Sequence, residues 1–258
     1  MNKSHTKETP EKRLELCQRH IQSIASRLIE AIHLNEMCEI VIFSNKLSDQ
    51  IPLSYAGNSF AYWQRGLIKQ YALLLCTLWD RPRNGYNDQM SFPAIVSYID
   101  ADVISLAKKR SYDYWYQGCK VEYGHGFEHF TKKQLAIETQ QIKNDTALSK
   151  SEYVEPCIRK VLLRMARLED CNLVRSIRDL RDLHLAHHLD TKLVRNAQNR
   201  NPKIKWDAPR KLLYISLWCC HNLSLGLTGN NQNFKDSFEI AKLYNEELWH
   251  NCTFDIPE

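Results

Sequence analysis

Residues 14–28 read LELCQRHIQSIASRL, a stretch in which apolar side chains recur at intervals of three or four positions. That spacing places them on one face of a helix with 3.6 residues per turn, and it does not fit the alternation of a β-strand. The apolar positions are Leu14, Cys17, Ile21, Ile24 and Leu28. The stretch predicts an amphipathic helix and begins an all-α pattern.

Helical periodicity continues along the rest of the chain, with no clear strand alternation. Further helices are predicted over about 33–47, from Asn58 or Ser59 to Leu78, from Phe92 to about Arg110, from Thr131 to about Asn144, from Ser151 to about Asp190 with a break near 170–172, from Asp207 to Gly226 or Gly229, and over about 234–249. Between them, residues 111–130 hold seven aromatic residues among three glycines and predict an aromatic-rich connection. The whole pattern predicts an up-and-down helical bundle with additional helices.

The composition agrees with a folded, helical protein. The 258 residues include only 8 Gly and 8 Pro, and 43% are hydrophobic, which excludes a disordered or collagen-like chain. We predict a flexible tail over residues 1–12 and a single helical domain over residues 13–258. The nine cysteines form no Cys-x-x-Cys pair, so we expect buried reduced thiols instead of a zinc ribbon or a disulfide framework.

The chain shows no sign of a membrane or secretory segment. No apolar core follows a basic start at residues 1–13, and the longest dense apolar run is 71–79. A bilayer takes about 20 apolar residues to cross, so this run is too short. We therefore expect a cytoplasmic protein that makes no membrane contact.

The positive charge is concentrated in one region. Residues 159–211 hold 14 basic and 6 acidic side chains, whereas the rest of the chain holds 21 and 24. A local excess of this kind favours a polyanionic partner such as nucleic acid. The region predicts the part of the chain that interacts with a ligand.

Residues 175–190, read as RSIRDLRDLHLAHHLD, carry the densest polar chemistry. Arginines at i, i+3 and i+6 run along one side of a helix, and three histidines follow within two turns. Arginine binds phosphate oxygens in a bidentate manner, and histidine both takes and returns protons near neutral pH. Together they suit metal-free cleavage of RNA, in which the 2′-OH attacks the adjacent phosphate. The residues concerned are Arg175, Arg178, Arg181, His184, His187 and His188.

The same residues leave other interpretations open. Arg and Asp side chains one turn apart also form ordinary surface ion pairs, which would leave a catalytically silent module that binds RNA or a protein. His184 and His188, at i and i+4, could ligate a metal, but no Glu-x-x-His pair of the di-iron type accompanies them. We predict neither a metal nor a cofactor.

Basic residues also follow the Arg/His segment. A polar stretch over 192–205 is suited either to clamping an RNA backbone or to forming a solubilising loop. Its basic residues are Lys192, Arg195, Arg200, Lys203 and Lys205. A second basic and aromatic patch at 108–114 is open to the same two interpretations, with a charged helix end as the simpler one.

The order Arg181-Asp182-Leu183-His184-Leu185-Ala186-His187, with Asp190 after it, resembles the motif of the HEPN superfamily, in its AbiU-type abortive-infection group. The segments Leu78-Trp79-Asp80 and Ser91-Phe92-Pro93 are similar to the helix pair that precedes the motif there. The resemblance covers about residues 20–225. It implies a helical bundle of the HEPN type that forms a homodimer and acts on RNA as a toxin or antiviral effector.

The resemblance also implies roles for individual residues. Arg181 would contact the scissile phosphate, Asp182 would orient the Arg or the His, and His187 would be the acid and base at a composite site of two subunits. On one ideal helix Arg181 and His187 point about 120° apart, and Arg178 with His184 repeats the same spacing, so the register stays open. His188 is a further candidate. Leu189 stands where HEPN toxins silenced by adenylylation have Tyr, which leaves the kind of antitoxin or defence partner open.

Overall fold

The computed structural model describes residues 8–51, 54–81, 89–123, 129–169, 171–176, 178 and 207–255. Nine helices have defined bounds within these ranges, and no strand occurs among the described residues. They are α1 (Pro10–Phe43), α2 (Asn45–Gln50), α3 (Tyr55–Leu78), α4 (Phe92–Tyr98), α5 (Ala101–Gly118), α6 (Lys132–Glu152), α7 (Val154–Glu169), α8 (Asp207–Thr228) and α9 (Lys235–Asn251). The all-α prediction is confirmed, while the division into a tail over 1–12 and one domain over 13–258 stays a prediction.

Helix α1 is the centre of the bundle, since α3, α4, α5, α8 and α9 all pack against it. Thr9 begins the helix, and its side chain accepts a hydrogen bond from the Lys12 backbone N–H. The predicted inward face, from Leu14 to Leu28, is buried. The prediction of two separate helices over 14–28 and 33–47 is wrong, because no Gly or Pro interrupts the backbone before Ser44.

Capping residues explain where the other early helices begin. The predicted cap at Asn58 or Ser59 is wrong, because the Ser54 hydroxyl accepts from the Gly57 N–H at 3.0 Å and starts α3 four residues earlier. The predicted helix from Phe92 to Arg110 is divided in two, since the Asp100 carboxylate accepts from the Val103 N–H at 3.0 Å and begins α5. The Ser91 cap of α4 is confirmed.

The later helices differ from prediction mainly in their ends. The aromatic-rich connection is shorter than predicted, because α5 continues to Gly118 and includes Tyr112 to Tyr116. Helix α6 has the predicted start at Thr131, with a capping box to Gln134, and it runs past Asn144 to Glu152. Helix α8 begins at Asp207 as predicted, and Gly229, with φ of 73°, follows its end.

A single apolar core joins α1, α3, α4, α5, α7, α8 and α9. The nine cysteines, all within the described ranges, form no disulfide with one another, and six of them are buried, as predicted. Burial raises the pKa of Cys17, Cys38, Cys219 and Cys220 to about 12. These thiols are therefore protonated packing groups and not nucleophiles. Within the described ranges, no helix is both long and apolar enough to span a membrane.

Candidate functional site

Of the arginines and histidines predicted to act on RNA, the structure describes Arg175 and Arg178. After the end of α7, the backbone is helical at 172–176 and at 178. The remaining predicted catalytic and RNA-binding residues lie outside the described residues. They are Arg181, Asp182, His184, His187 and His188, together with Lys192, Arg195, Arg200, Lys203 and Lys205.

Arg178 is anchored at the end of α3. Its guanidinium donates a hydrogen bond to the backbone carbonyl of Trp79, the residue that caps α3. The last carbonyls of a helix have no partner within the helix and carry partial negative charge, so a cation is favoured there. The contact fixes the first part of the Arg/His segment against the α3 end.

Trp79 joins several elements at this point. Its side chain is only 2% exposed, and its ring packs against Phe92 of α4 with 5.1 Å between centroids. Its indole N–H donates to the Ser216 hydroxyl of α8 at 2.8 Å, and that hydroxyl donates to the Leu212 carbonyl at 2.7 Å. We call Trp79, Phe92, Arg178 and Ser216 the Trp79 cluster. It brings three helices to the start of the Arg/His segment.

The loop ends near the cluster are also hydrogen-bonded. The Ser91 hydroxyl accepts from the Ala94 N–H and donates to the Asp80 carbonyl at 2.7 Å, which closes the connection from α3 to α4. The sequence segments that resembled the family's helix pair, Leu78-Trp79-Asp80 and Ser91-Phe92-Pro93, therefore meet in space. Sequence reasoning missed Ser216, since a serine inside an apolar helix stripe gives no signal of a specific partner.

Basic side chains lie on the outer face of α7, the helix that precedes the Arg/His segment in the chain. Lys160, Arg164 and Arg167 are exposed and lie at i, i+4 and i+7 on one side of the helix. None of the three has an acidic partner among the described residues, whereas Arg159 pairs with Glu155 at 2.6 Å. Their positive charge is therefore uncompensated within the described part of the chain.

The second basic and aromatic patch, at 108–114, is different. Lys108 pairs with Glu155 at 3.5 Å, and Arg110 lies 3.9 Å from Glu15. Tyr112 donates to the Asn144 side chain of α6 at 2.8 Å. These contacts are those of a packed helix end, the simpler of the two interpretations.

Potential metal ligands do not cluster among the described residues. No group of three or more His, Cys, Asp or Glu side chains gathers there as a metal site would require. The histidine pair that could ligate a metal, His184 and His188, lies outside the described ranges. The described cations of this region are Arg178 at the Trp79 cluster and the basic residues on the outer face of α7.

The comparison with family models identifies the chain's relatives. The HEPN AbiU2 family (AbiU2) matches residues 13–240, which is most of the chain. No curated protein and no solved structure matches it. The matched range contains the Trp79 cluster, the outer face of α7 and the whole Arg/His segment. The chain therefore belongs to the AbiU2 family of HEPN proteins.

Proposed function

We propose that this chain is a metal-independent endoribonuclease, a toxin or abortive-infection effector in defence against phage. The observation that carries the proposal is the run of arginines and histidines at 175–190 in an AbiU2-family chain, in which Arg178 is anchored on the Trp79 carbonyl. Anchoring of the neighbouring backbone favours a fixed placement of catalytic side chains, which such chemistry needs.

The reaction is transfer of a phosphodiester within RNA. The 2′-oxygen of the nucleotide attacks the adjacent phosphorus, the bond to the 5′-oxygen of the next nucleotide breaks, and the products are a 2′,3′-cyclic phosphate and a 5′-OH. His187 takes the proton of the 2′-OH, and a histidine returns a proton to the leaving oxygen. Arg181 stabilises the charge that develops on the phosphoryl oxygens.

Two copies of the chain complete the site in this proposal. Arg181 and His187 point about 120° apart on one ideal helix, so one helix alone presents them poorly to a single phosphate. A second Arg/His segment that faces the first supplies the missing group. Asp182 orients the Arg or His, and the basic residues at 192–205, together with the outer face of α7, attract the RNA backbone.

Cleavage of RNA in excess EDTA tests the proposal. His187→Ala lowers the cleavage rate at least 10²-fold, because proton transfer by a positioned histidine contributes about that much. His250→Ala, at an exposed position on α9, is the matched control and leaves the rate unchanged. Loss of wild-type cleavage in EDTA with recovery in a transition metal would contradict the proposal and favour a metal enzyme at His184 and His188.

The register of the pair has its own test. The described contact of Arg178 with the Trp79 carbonyl supports a positioning role for Arg178 and leaves Arg181 as the phosphate ligand. Arg178→Ala is expected to lower the melting temperature, and Arg181→Ala to abolish cleavage with an unchanged melting temperature. The reverse outcome would assign catalysis to Arg178 and His184.

Mixing two inactive variants tests the shared site. In a heterodimer of Arg181→Ala with His187→Ala, one of the two sites keeps its Arg from one copy and its His from the other. An equal mixture then recovers about a quarter of wild-type activity if dimers exchange at random. If mass spectrometry shows heterodimers but no activity is recovered, a site built from one Arg and the partner copy's His is contradicted.

A silent binding module is the second candidate function. The observation that favours it is the use of Arg178 as a structural donor to a backbone carbonyl, which shows one arginine of the run in a packing role. Such a module binds RNA or a defence partner without cutting. RNA binding by the wild type with no cleavage, unchanged by His187→Ala, would select it.

A further inference from the structure

A groove between α7 and α8 opens beside the basic outer face of α7. Arg164 of α7 and Tyr214, Ile215 and Trp218 of α8 line it. Its volume is about 420 Å³, within the ~300–1,000 Å³ of pockets that hold small ligands. The groove has room for a planar group of the size of a nucleobase.

Two aromatic side chains give this groove a stacking surface. Tyr214 and Trp218 lie at i and i+4 on α8, hence on one face, and are 48% and 40% exposed. The Tyr214 ring stacks on Phe238 of α9 at 5.9 Å, and the Arg210 guanidinium lies 5.9 Å from the same ring. Trp218 makes no ring contact with the described residues. The indole is therefore the aromatic group available to a ligand.

The charge around the groove selects the kind of ligand. Arg164 lines it, and Lys160 and Arg167 extend along the same side of α7, about 6 Å and 4.5 Å away along the helix axis. As described above, these three cations lack acidic partners in the described ranges. A ligand that suits both features has negative charges spaced along a chain and planar groups that stack on indole, which describes single-stranded RNA.

We infer that Trp218 is a stacking platform for an unpaired RNA base and that Arg164 binds the phosphate beside it. The subsite rests on the proposed function, since it takes RNA as its ligand, and it adds a binding site outside the Arg/His segment. An apolar protein partner fits less well, because it would leave three cations desolvated without counter-charge.

The position of the groove suits a substrate that continues toward the Arg/His segment. Arg164 lies five residues before the end of α7, and Tyr214 lies seven residues after the start of α8. These separations correspond to about 8 Å and 11 Å along the helix axes. The groove is therefore within about two turns of the α7 end, which precedes the Arg/His segment, and of the α8 start, which follows residue 206.

Binding of a labelled 2′-O-methyl oligonucleotide by the full chain in EDTA tests the subsite. This probe lacks a free 2′-OH and cannot be cut, so binding is measured apart from cleavage. Trp218→Ala is expected to weaken binding about tenfold, the effect of losing one stacked base. On the same probe with abasic positions, the substitution changes binding less than twofold, because no base is left to stack.

The cation and a matched pair elsewhere provide the controls. Arg164→Ala is expected to weaken binding of both probes and to lower the slope of log K against log salt by about 0.7, the value for one phosphate contact on a single strand. Tyr62 and Arg65 of α3 form a similar exposed pair, 5.5 Å apart, away from the groove. Tyr62→Ala and Arg65→Ala leave binding within twofold of wild type.

The outcomes separate the subsite from the proposed function. Equal binding by Trp218→Ala and Tyr62→Ala, with native circular dichroism, overturns the subsite, and it does so whether or not the wild type cleaves RNA. A shift from dimer to monomer in Trp218→Ala also overturns it, because the face then belongs to an interface between copies. Tenfold weaker binding with no wild-type cleavage in EDTA supports the subsite and overturns the ribonuclease.

Discussion

Helices α7 and α9 both lie on the outside of the bundle, and they treat their charges in opposite ways. On α9, Lys235 has Glu239 one turn later at 3.5 Å, and Lys242 has Glu246 at 3.8 Å. Among the described side chains of α7, only Arg159 is paired in this manner, with Glu155. The three cations that follow on α7 have no acidic partner among the described residues.

The difference teaches which face of the molecule attracts a polyanion. On α9 four acidic residues stand against two lysines, so the helix presents no positive field, although each i, i+4 ion pair adds only about 0.3–0.5 kcal/mol to stability. The three α7 cations keep their field, and one of them, Arg164, lines the groove with the exposed Trp218 of α8. Exposed apolar side chains do not distinguish the helices, since Leu163 of α7 and Leu243 of α9 are 64% and 59% exposed.

Reversing charge on the two helices should produce the largest contrast. The double variant Lys160→Glu, Arg167→Glu is expected to weaken RNA binding about 10- to 100-fold, because two phosphate contacts become repulsive. Lys235→Glu, Lys242→Glu makes the same change in net charge on α9 and should have less than a twofold effect. Both are measured with the uncleavable oligonucleotide at fixed salt, and equal losses would remove the distinction between the helices.

A second contrast concerns the inner face of α7, which packs closely on α8. A Cβ atom added to Gly226 would lie 2.7 Å from Ile158 Cγ1 and 3.2 Å from the Val154 carbonyl oxygen. Gly226→Ala is therefore expected to lower the free energy of unfolding by about 1–3 kcal/mol. Urea unfolding measures it, and an unchanged midpoint would show that α7 can shift away from α8 at no cost.

The control for that substitution is a helical glycine in open space. A Cβ at Gly66 of α3 meets nothing within 4 Å. Gly66→Ala should therefore stabilise the protein, by about 0.5–1 kcal/mol, because alanine has the better helix propensity. The opposite signs of the two changes isolate the close approach of α7 to α8.

A small effect is expected at the ion pair between Arg13 and Asp100, which involves no residue of α7. Burial raises the pKa of Asp100, but the Arg13 guanidinium at 2.5 Å and the Val103 N–H outweigh it and hold the pKa below its ordinary value. Because the folded pKa is the lower one, the pair stabilises the fold above about pH 4 and this contribution is lost as the pH falls through the folded pKa. Asp100→Asn, which keeps the helix cap, should cost about 1 kcal/mol at pH 6, since the carboxylate is half-exposed.

A pH series distinguishes this charge effect from a packing effect. The difference between wild type and Asp100→Asn in urea unfolding should narrow between pH 4 and pH 3. A difference that stays constant over that interval would show that the carboxylate charge does not contribute. Arg13 thus has its acidic partner within the chain, whereas Lys160, Arg164 and Arg167 of α7 have none among the described residues.

Much of the fold was predictable because it depends on local periodicity and local caps. The spacing from Leu14 to Leu28, the Ser91 cap and the start of α8 at Asp207 are signals carried by neighbouring residues. The helix ends that were mispredicted depend on competition between caps, as at Ser54 and Asp100, or on the absence of any breaker, as between Leu28 and Ser44. A serine or aspartate in a sequence does not say which of several caps forms.

The family of the chain was predictable from the sequence, and the setting of the candidate site was less so. The charge excess over 159–211 and the Arg/His order were readable from the sequence, and the family assignment that they suggested is confirmed. The Trp79 cluster was not readable, because its partners are 79, 92, 178 and 216 in the chain and meet only through packing of α3, α4 and α8. The exposure of Trp218 was likewise hidden, since helix spacing alone suggests that an aromatic residue is buried.

The chemistry of the cleaved ends tests the central claim most directly. Wild-type protein is incubated with an end-labelled RNA in excess EDTA, alongside the same RNA with a single 2′-deoxy nucleotide at the preferred site. The account predicts products with 2′,3′-cyclic phosphate and 5′-OH ends, and no cut at the deoxy position. An intact RNA, or a cut that leaves a 3′-OH and persists at the deoxy position, would contradict it.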